Sequence, residues 1–178
     1  SVLHLAGLSR PMIEHEKNIS KSINLNIIGT GNIVRICSEL KIKLIYFSTS
    51  YVYPGKKGNY TEANPIFPIN KYAWSKLGGE SSVHLYDNSL ILRITMTEKP
   101  FVHKKAFTNF KTNFIFHESI ASILFKLIKK RGIINIGGKS QSVYNFARKF
   151  NPKIKKKLSK KTLDTSMNLN KLKKILRN

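Results

Sequence analysis

The sequence predicts an α/β protein built on a doubly wound parallel sheet, and three observations predict it. Short apolar runs recur at 42–47, 89–94 and 132–136, each compact enough for a strand buried on both faces. Between them lie stretches whose apolar residues repeat at three- and four-residue steps, the period of a helix. The first complete run, Ile42-Lys43-Leu44-Ile45-Tyr46-Phe47, ends in the hydroxyls Ser48, Thr49 and Ser50. Ligands of open α/β sheets collect at the carboxyl ends of strands, so chemistry is expected there.

Taken in order, Ser1-Val2-Leu3-His4-Leu5-Ala6-Gly7 reads as the end of a buried strand turning into a loop. Ile19, Ile23, Ile27, Ile33, Ile36, Cys37 and Leu40 mark a long amphipathic helix. Gly29 and Gly31 fall inside it; each costs about 1 kcal/mol relative to alanine, which points to a packing reason. After the Ile42–Phe47 strand, Gly55, Gly58, Pro65 and Pro68 make 54–69 an irregular loop. A helix follows from Lys71 to about Tyr86, and then the buried strand Ser89–Ile94. Phe114–Glu118 predicts another strand, and Ser119–Lys130 a helix. Gly132–Ile136 is the last strand of the buried kind. Ser140 or Ser142 is placed to cap a helix running to Phe150. A basic amphipathic helix closes the chain near Asn168–Arg177.

Chemistry concentrates in Lys71-Tyr72-Ala73-Trp74-Ser75-Lys76. Tyr72 and Lys76 are four apart and share one helical face. A phenol near its reference pKa of about 10 is a poor proton shuttle at neutral pH. A neighbouring ammonium favours the phenolate, each pH unit being worth about 1.4 kcal/mol. Tyr-x-x-x-Lys also occurs on ordinary surface helices; Thr49 at the strand tip, Pro68 upstream and Leu77-Gly78-Gly79-Glu80 downstream make the context specific.

Together these features resemble the extended short-chain dehydrogenase/reductase family of sugar-nucleotide epimerases, dehydratases and reductases, from Leu3 to about Phe150. His4-Leu5-Ala6-Gly7, Asn26-Ile27-Ile28-Gly29-Thr30, Leu92-Arg93 and Asn135-Ile136-Gly137-Gly138 are similar to further segments of that family. The resemblance implies a Rossmann-like fold with a small C-terminal substrate lobe: 1–98 as the later part of the dinucleotide domain, and 99–178 as the lobe with a basic tail. It implies Thr49, Tyr72 and Lys76 as the catalytic set. NAD or NADP is implied as cofactor, held by Leu5, Ala6, Gly7, Asn26, Ser48, Tyr72 and Lys76. His4 is expected to be a buried histidine without catalytic duty. Ser50-Tyr51 stands where the dehydratases carry Asp-Glu, which speaks against dehydration. Ser48–Tyr53 with Gly58, Glu62, Pro68-Ile69-Asn70 and Tyr72 looks most like the dTDP-4-dehydrorhamnose reductase branch, which reduces a 4-keto sugar nucleotide. A 4-epimerase uses the same three residues. The family's dimers, in which the long helix and the Tyr72 helix pair, leave a homodimer open. Thr95–Pro100 departs from the family's usual Tyr-Gly-Pro, so the sugar is not legible.

One family feature is missing: no segment supplies the Gly-x-x-Gly-x-x-Gly turn that holds the pyrophosphate at a helix N-terminus. With its strand–helix units it accounts for about 60 residues. The expectation is therefore a fragment of a longer protein, holding a dinucleotide weakly or not at all alone. An inactive remnant or a basic interaction protein is the competing reading.

Composition narrows the rest. At 41% apolar residues, 178 residues support one domain with a real core. The single cysteine, Cys37, excludes an internal disulfide and fits a reducing compartment. No apolar run reaches the ~18 residues of a membrane span, and the chain reads as cytoplasmic. The net charge is +23, with Lys149–Arg177 densely basic; a compositional bias towards lysine together with a solvated tail is the expected source. Neither an aromatic-rich basic platform nor zinc-finger spacing accompanies it, which argues against nucleic acid. The histidines share no metal-ligand spacing, and no metal is assigned.

Overall fold

The central sheet has four parallel strands in the order β1-β2-β3-β8, and the chain builds it outward from one edge. The structure, a computed structural model, describes residues 1–177; Asn178, the end of the segment expected as the lobe, lies outside the described residues. β1 (Val2–His4) leads through α1 (Glu14–Lys17) into α2 (Ile19–Ile23), a π-helical segment (Asn24–Ile28) and α3 (Gly29–Glu39). These last three form the long helix the periodicity predicts. β2 (Leu44–Thr49) follows, then a 3-10 turn (Ser50–Val52), an irregular loop, α4 (Lys71–His84) and β3 (Ser89–Ile94). Next come the short strands β4 (Met96–Thr97), β5 (Lys105–Phe107), β6 (Phe110–Thr112) and β7 (Ile115–Phe116). α5 (His117–Leu127) and β8 (Gly132–Ile136) return to the central sheet. β9 (Gln141–Ser142), α6 (Val143–Arg148), β10 (Lys155–Lys157), β11 (Leu163–Asp164) and α7 (Asn170–Arg177) complete the chain.

Helices cover both faces of the sheet, as a parallel sheet requires. Leu44 and Tyr46 of β2 pack on one side with Val34 and Cys37 of α3 and Val83 of α4. Ile45 and Phe47 point the other way, against Ile120 and Leu127 of α5 and Leu172 of α7. The alternation along β2 thus feeds two cores from one strand. An aromatic cluster of Phe101, Phe110 and Phe146 with Ala106, Val143 and Ile154 forms a separate lobe core. Ser142 caps α6 by accepting a hydrogen bond from the Asn145 N–H. Residues 99–177 contribute to both the lobe and the sheet, since β8 pairs with β3.

Two expectations are corrected. The basic segment is not a solvated tail. Lys155–Lys157 pair in parallel with Lys105–Phe107, Leu163–Asp164 pair with β6, and Thr165, Ser166, Met167 and Leu172 are buried. The lysines ride on the exposed face of folded strands. The tight packing is made not by Gly31, where a Cβ meets nothing closer than 3.8 Å, but by Gly79. A Cβ there would lie 2.4 Å from the Asn26 carbonyl oxygen, so only glycine lets α4 press against the π-helical segment. No described helix is long and apolar enough to cross a membrane.

Candidate active site

α4 sets the site. Its N-cap Asn70 accepts a hydrogen bond from the Ala73 N–H at 2.8 Å, fixing the first turn, and Tyr72 follows at once. The helix packs against β2, so Tyr72 meets Thr49 at the strand tip. Both line a cavity of about 530 Å³ together with Ser9, Arg10, Tyr51, Thr97, Glu98 and His117. The cavity lies beyond the carboxyl ends of β2 and β3, where the topology predicts a ligand. An ion pair between Arg10 and Glu98 joins the loop after β1 to the loop after β4 beside it.

Tyr72 is not acidified. Burial pushes its phenol above the ordinary range, outweighing the Thr49 hydrogen bond and the Arg10 charge that pull it down. The expectation of a phenolate favoured by Lys76 is therefore corrected. The Lys76 ammonium lies over the Tyr46 ring, 4.2 Å from its centroid. Tyr46 in turn donates its hydroxyl to the Lys76 carbonyl at 3.0 Å. Lys76 is 6% exposed, and burial lowers its pKa to about 8, with Glu80 opposing that shift. Among the described residues, its Nζ makes no hydrogen bond and no ion pair. It does not line the 530 Å³ cavity either; a Cβ on Gly7 would sit 3.9 Å from it. Its ammonium thus lies close to Gly7, and Leu5, Ala6 and Gly7 are exposed.

Asn26 is placed by the π-helical segment, whose wider turn holds this buried amide toward the loop after β1. Its Oδ1 accepts from the Leu8 N–H at 2.7 Å, and its Nδ2 donates to the Leu8 carbonyl and to Ser75 Oγ, both at 2.8 Å. It therefore ties the Gly7–Leu8 backbone to α4. Ser48 also lines the cavity, while its hydroxyl donates to Glu80. His4 is buried, 3.0 Å from the Thr30 hydroxyl, and burial lowers its pKa. The structure thus brings Thr49 and Tyr72 to one cavity, and gathers Lys76, Asn26 and Gly7 beside it.

The sequence reading missed two features. Glu80 and Arg93 form a buried ion pair, with Arg93 Nε and Nη2 donating to Glu80 Oε1 at 3.1 and 2.6 Å. Burial raises the Glu80 carboxyl, but the surrounding donors and the Arg93 charge hold it below the usual range. From Arg93 the network runs to the Tyr53 hydroxyl, then to Asn135, whose N–H donates to Glu62. Glu62 thereby gains a purpose: it holds the end of β8. The second is His15, buried beside Tyr72 with ring centroids 5.2 Å apart. Nothing in its spacing marks it; only the fold of α1 onto α4 brings it there.

Comparison with known proteins bears on this arrangement. The family model described as RmlD substrate binding domain matches residues 2–116. Methionine adenosyltransferase 2 subunit beta of Rattus norvegicus is 33% identical over 96 residues, 52% of this chain and 28% of that protein. A crystal structure described as a hypothetical dTDP-4-dehydrorhamnose reductase from Sulfolobus tokodaii superposes with a TM-score of 0.85 at 26% identity, covering 97% of this chain and 72% of that one. A dTDP-4-dehydrorhamnose reductase from Bacillus anthracis, solved in complex with NADP, gives 0.82 at 20% identity over 96% of this chain and 71% of that one, a likeness of fold. The chain thus spans just over a quarter of the curated relative it matches and about seven tenths of these two structures.

Proposed function

The chain belongs to the RmlD substrate binding domain family, and on that premise we propose that it carries the proton-donating site of an NAD(P)-dependent reductase acting on a 4-keto sugar nucleotide. One observation carries the reading: Tyr72 and Thr49 face a single cavity at the strand tips, while a buried ammonium with unused donors lies next to it. The residues present fit the nicotinamide-ribose end of a dinucleotide. Lys76 offers its donors close to Gly7, and Asn26 holds the backbone there in place. The dinucleotide, when bound, supplies the hydride.

The chain's own residues supply the proton. A reduction that delivers hydride to a carbonyl carbon needs a proton on the oxygen. A phenol whose pKa is raised by burial is protonated at neutral pH and is in the right state to give it. Thr49 orients the carbonyl oxygen through its hydroxyl, and Tyr72 transfers its O–H proton to that oxygen. Solvent then reprotonates the phenolate. Lys76, titrating near 8, remains mostly charged at pH 7 and would donate to the ribose hydroxyls of a bound dinucleotide. Thr97, Glu98 and His117 stand on the cavity wall where the sugar would lie.

The test is NADPH or NADH oxidation by the full-length protein with a 4-keto-6-deoxy sugar nucleotide, compared with Tyr72→Phe. Loss of the phenolic proton should lower kcat on the order of 100-fold or more. Equal rates in the two proteins overturn the mechanism. A second reading, in which the same fold serves as a non-catalytic subunit, draws on the match to the methionine adenosyltransferase subunit. It requires no turnover in either protein.

A further inference from the structure

One buried, titratable side chain beside the site takes no part in the mechanism above. His15, on α1, is 1% exposed, and its Nδ1 lies 2.7 Å from the Ser22 hydroxyl. Its Nε2 is also buried and, among the described residues, has no hydrogen-bond partner. An unpartnered polar atom in a core costs free energy, commonly about 1–3 kcal/mol, and leucine would fill the same space without that cost. The imidazole packs against Tyr72: the two rings meet in a tilted, T-shaped arrangement, with centroids 5.2 Å apart and planes at 61°. On its other side Tyr72 meets Tyr51, with centroids 6.5 Å apart and planes at 88°. The phenol is therefore held between two aromatic walls. α1 is itself fastened to the start of α4, since Glu16 pairs with Lys71 at 2.8 Å.

We propose that His15 is a positioning residue for Tyr72: anchored through Nδ1 on Ser22, it sets its Nε2–H edge against the phenol ring and holds that ring in the plane in which the hydroxyl meets Thr49. The tautomer that does this is the one in which Nδ1 accepts rather than donates. When Nδ1 accepts the Ser22 O–H, the proton resides on Nε2, and a positive ring edge meets the negative face of an aromatic ring. Burial lowers the His15 pKa against the opposing charges of Glu16 and Glu14, which keeps the imidazole neutral and this tautomer available. The inference rests on the reading of Tyr72 as the proton donor, but its first test does not depend on turnover.

That test follows the flipping of the Tyr72 ring by NMR in the full-length protein with labelled tyrosine, the signals being assigned with Tyr72→Phe. Three variants are compared with wild type. His15→Leu keeps the volume, Ser22→Ala removes only the anchor, and His15→Phe keeps an aromatic edge. Ring flips at least tenfold faster in His15→Leu and Ser22→Ala, with partial restoration in His15→Phe, are the expected result. With the sugar-nucleotide substrate, the first two variants should lose about tenfold in kcat at unchanged KM. Wild-type flipping rates in both overturn the proposal. Should His15→Leu fail to fold, Ser22→Ala decides alone. Full turnover in Tyr72→Phe sinks the reductase reading, while the flipping rates still judge His15.

Discussion

Lys76 and Arg93 are buried to nearly the same degree, 6% and 2% exposed, yet their surroundings differ throughout. Arg93 gives two hydrogen bonds to the Glu80 carboxylate and another to the Tyr53 hydroxyl. Lys76, on the same helix as Glu80 and one turn before it, has an aromatic face for its charge and, among the described residues, no acceptor for its protons. The first arrangement is self-sufficient: fully partnered, it fixes α4 to β3. In the second the charge rests on a ring face alone, and burial penalises it. The contrast separates a fully partnered cation from one without a counter-charge.

The largest expected effect breaks the self-sufficient side. Arg93→Met leaves the Glu80 carboxylate buried without its cation, and chemical denaturation should report a loss of about 3–5 kcal/mol. Adding Glu80→Leu should restore part of it, because the two residues share one interaction.

Lys76→Met should act in the opposite direction. A lysine that titrates near 8 in the folded chain and near 10.4 unfolded opposes folding by about 3 kcal/mol wherever both states are charged. The sign follows from proton counts. Between about pH 8 and 10.4 the unfolded chain holds more protons at this group, so stability rises with pH there. Below pH 8 the full penalty remains. Lys76→Met should therefore be the more stable protein at pH 7 and should lack the rise above pH 8. A wild-type profile flat across that window would show that the ammonium is not penalised.

Smaller effects sharpen the same picture. Ser48→Ala removes one donor from Glu80 and should cost about 1.5 kcal/mol, with the midpoint of the acid transition moved to higher pH. The direction follows because the donor helps keep the folded carboxylate pKa low. Lys71→Ala breaks the exposed pair with Glu16 and should change stability by less than about 0.5 kcal/mol.

Much of this fold is legible in the sequence because its signals are local. The runs ending at Thr49, Ile94 and Ile136 are buried strands wherever they lie, and Tyr72 and Lys76 share a helix by spacing alone. What was illegible depends on contacts between distant residues. Lys76 resting on Tyr46, thirty positions away, cannot be read from a helical wheel, so the direction of the Tyr72 shift was misjudged. His15 reaches Tyr72 only because α1 folds onto α4. The lysine-rich segment looked solvated because charge dominates its composition. Its backbone nonetheless finds partners in β5 and β6, and strand pairing needs no apolar side chain on the exposed face.

The path of the chain between sheet and lobe has a practical corollary. It leaves the sheet after β3, comes back at α5, departs again after β8 and returns with α7, whose Leu172 lies in the sheet's core. Recombining this lobe with that of a relative therefore demands a matched join at each of these passages, not a single splice.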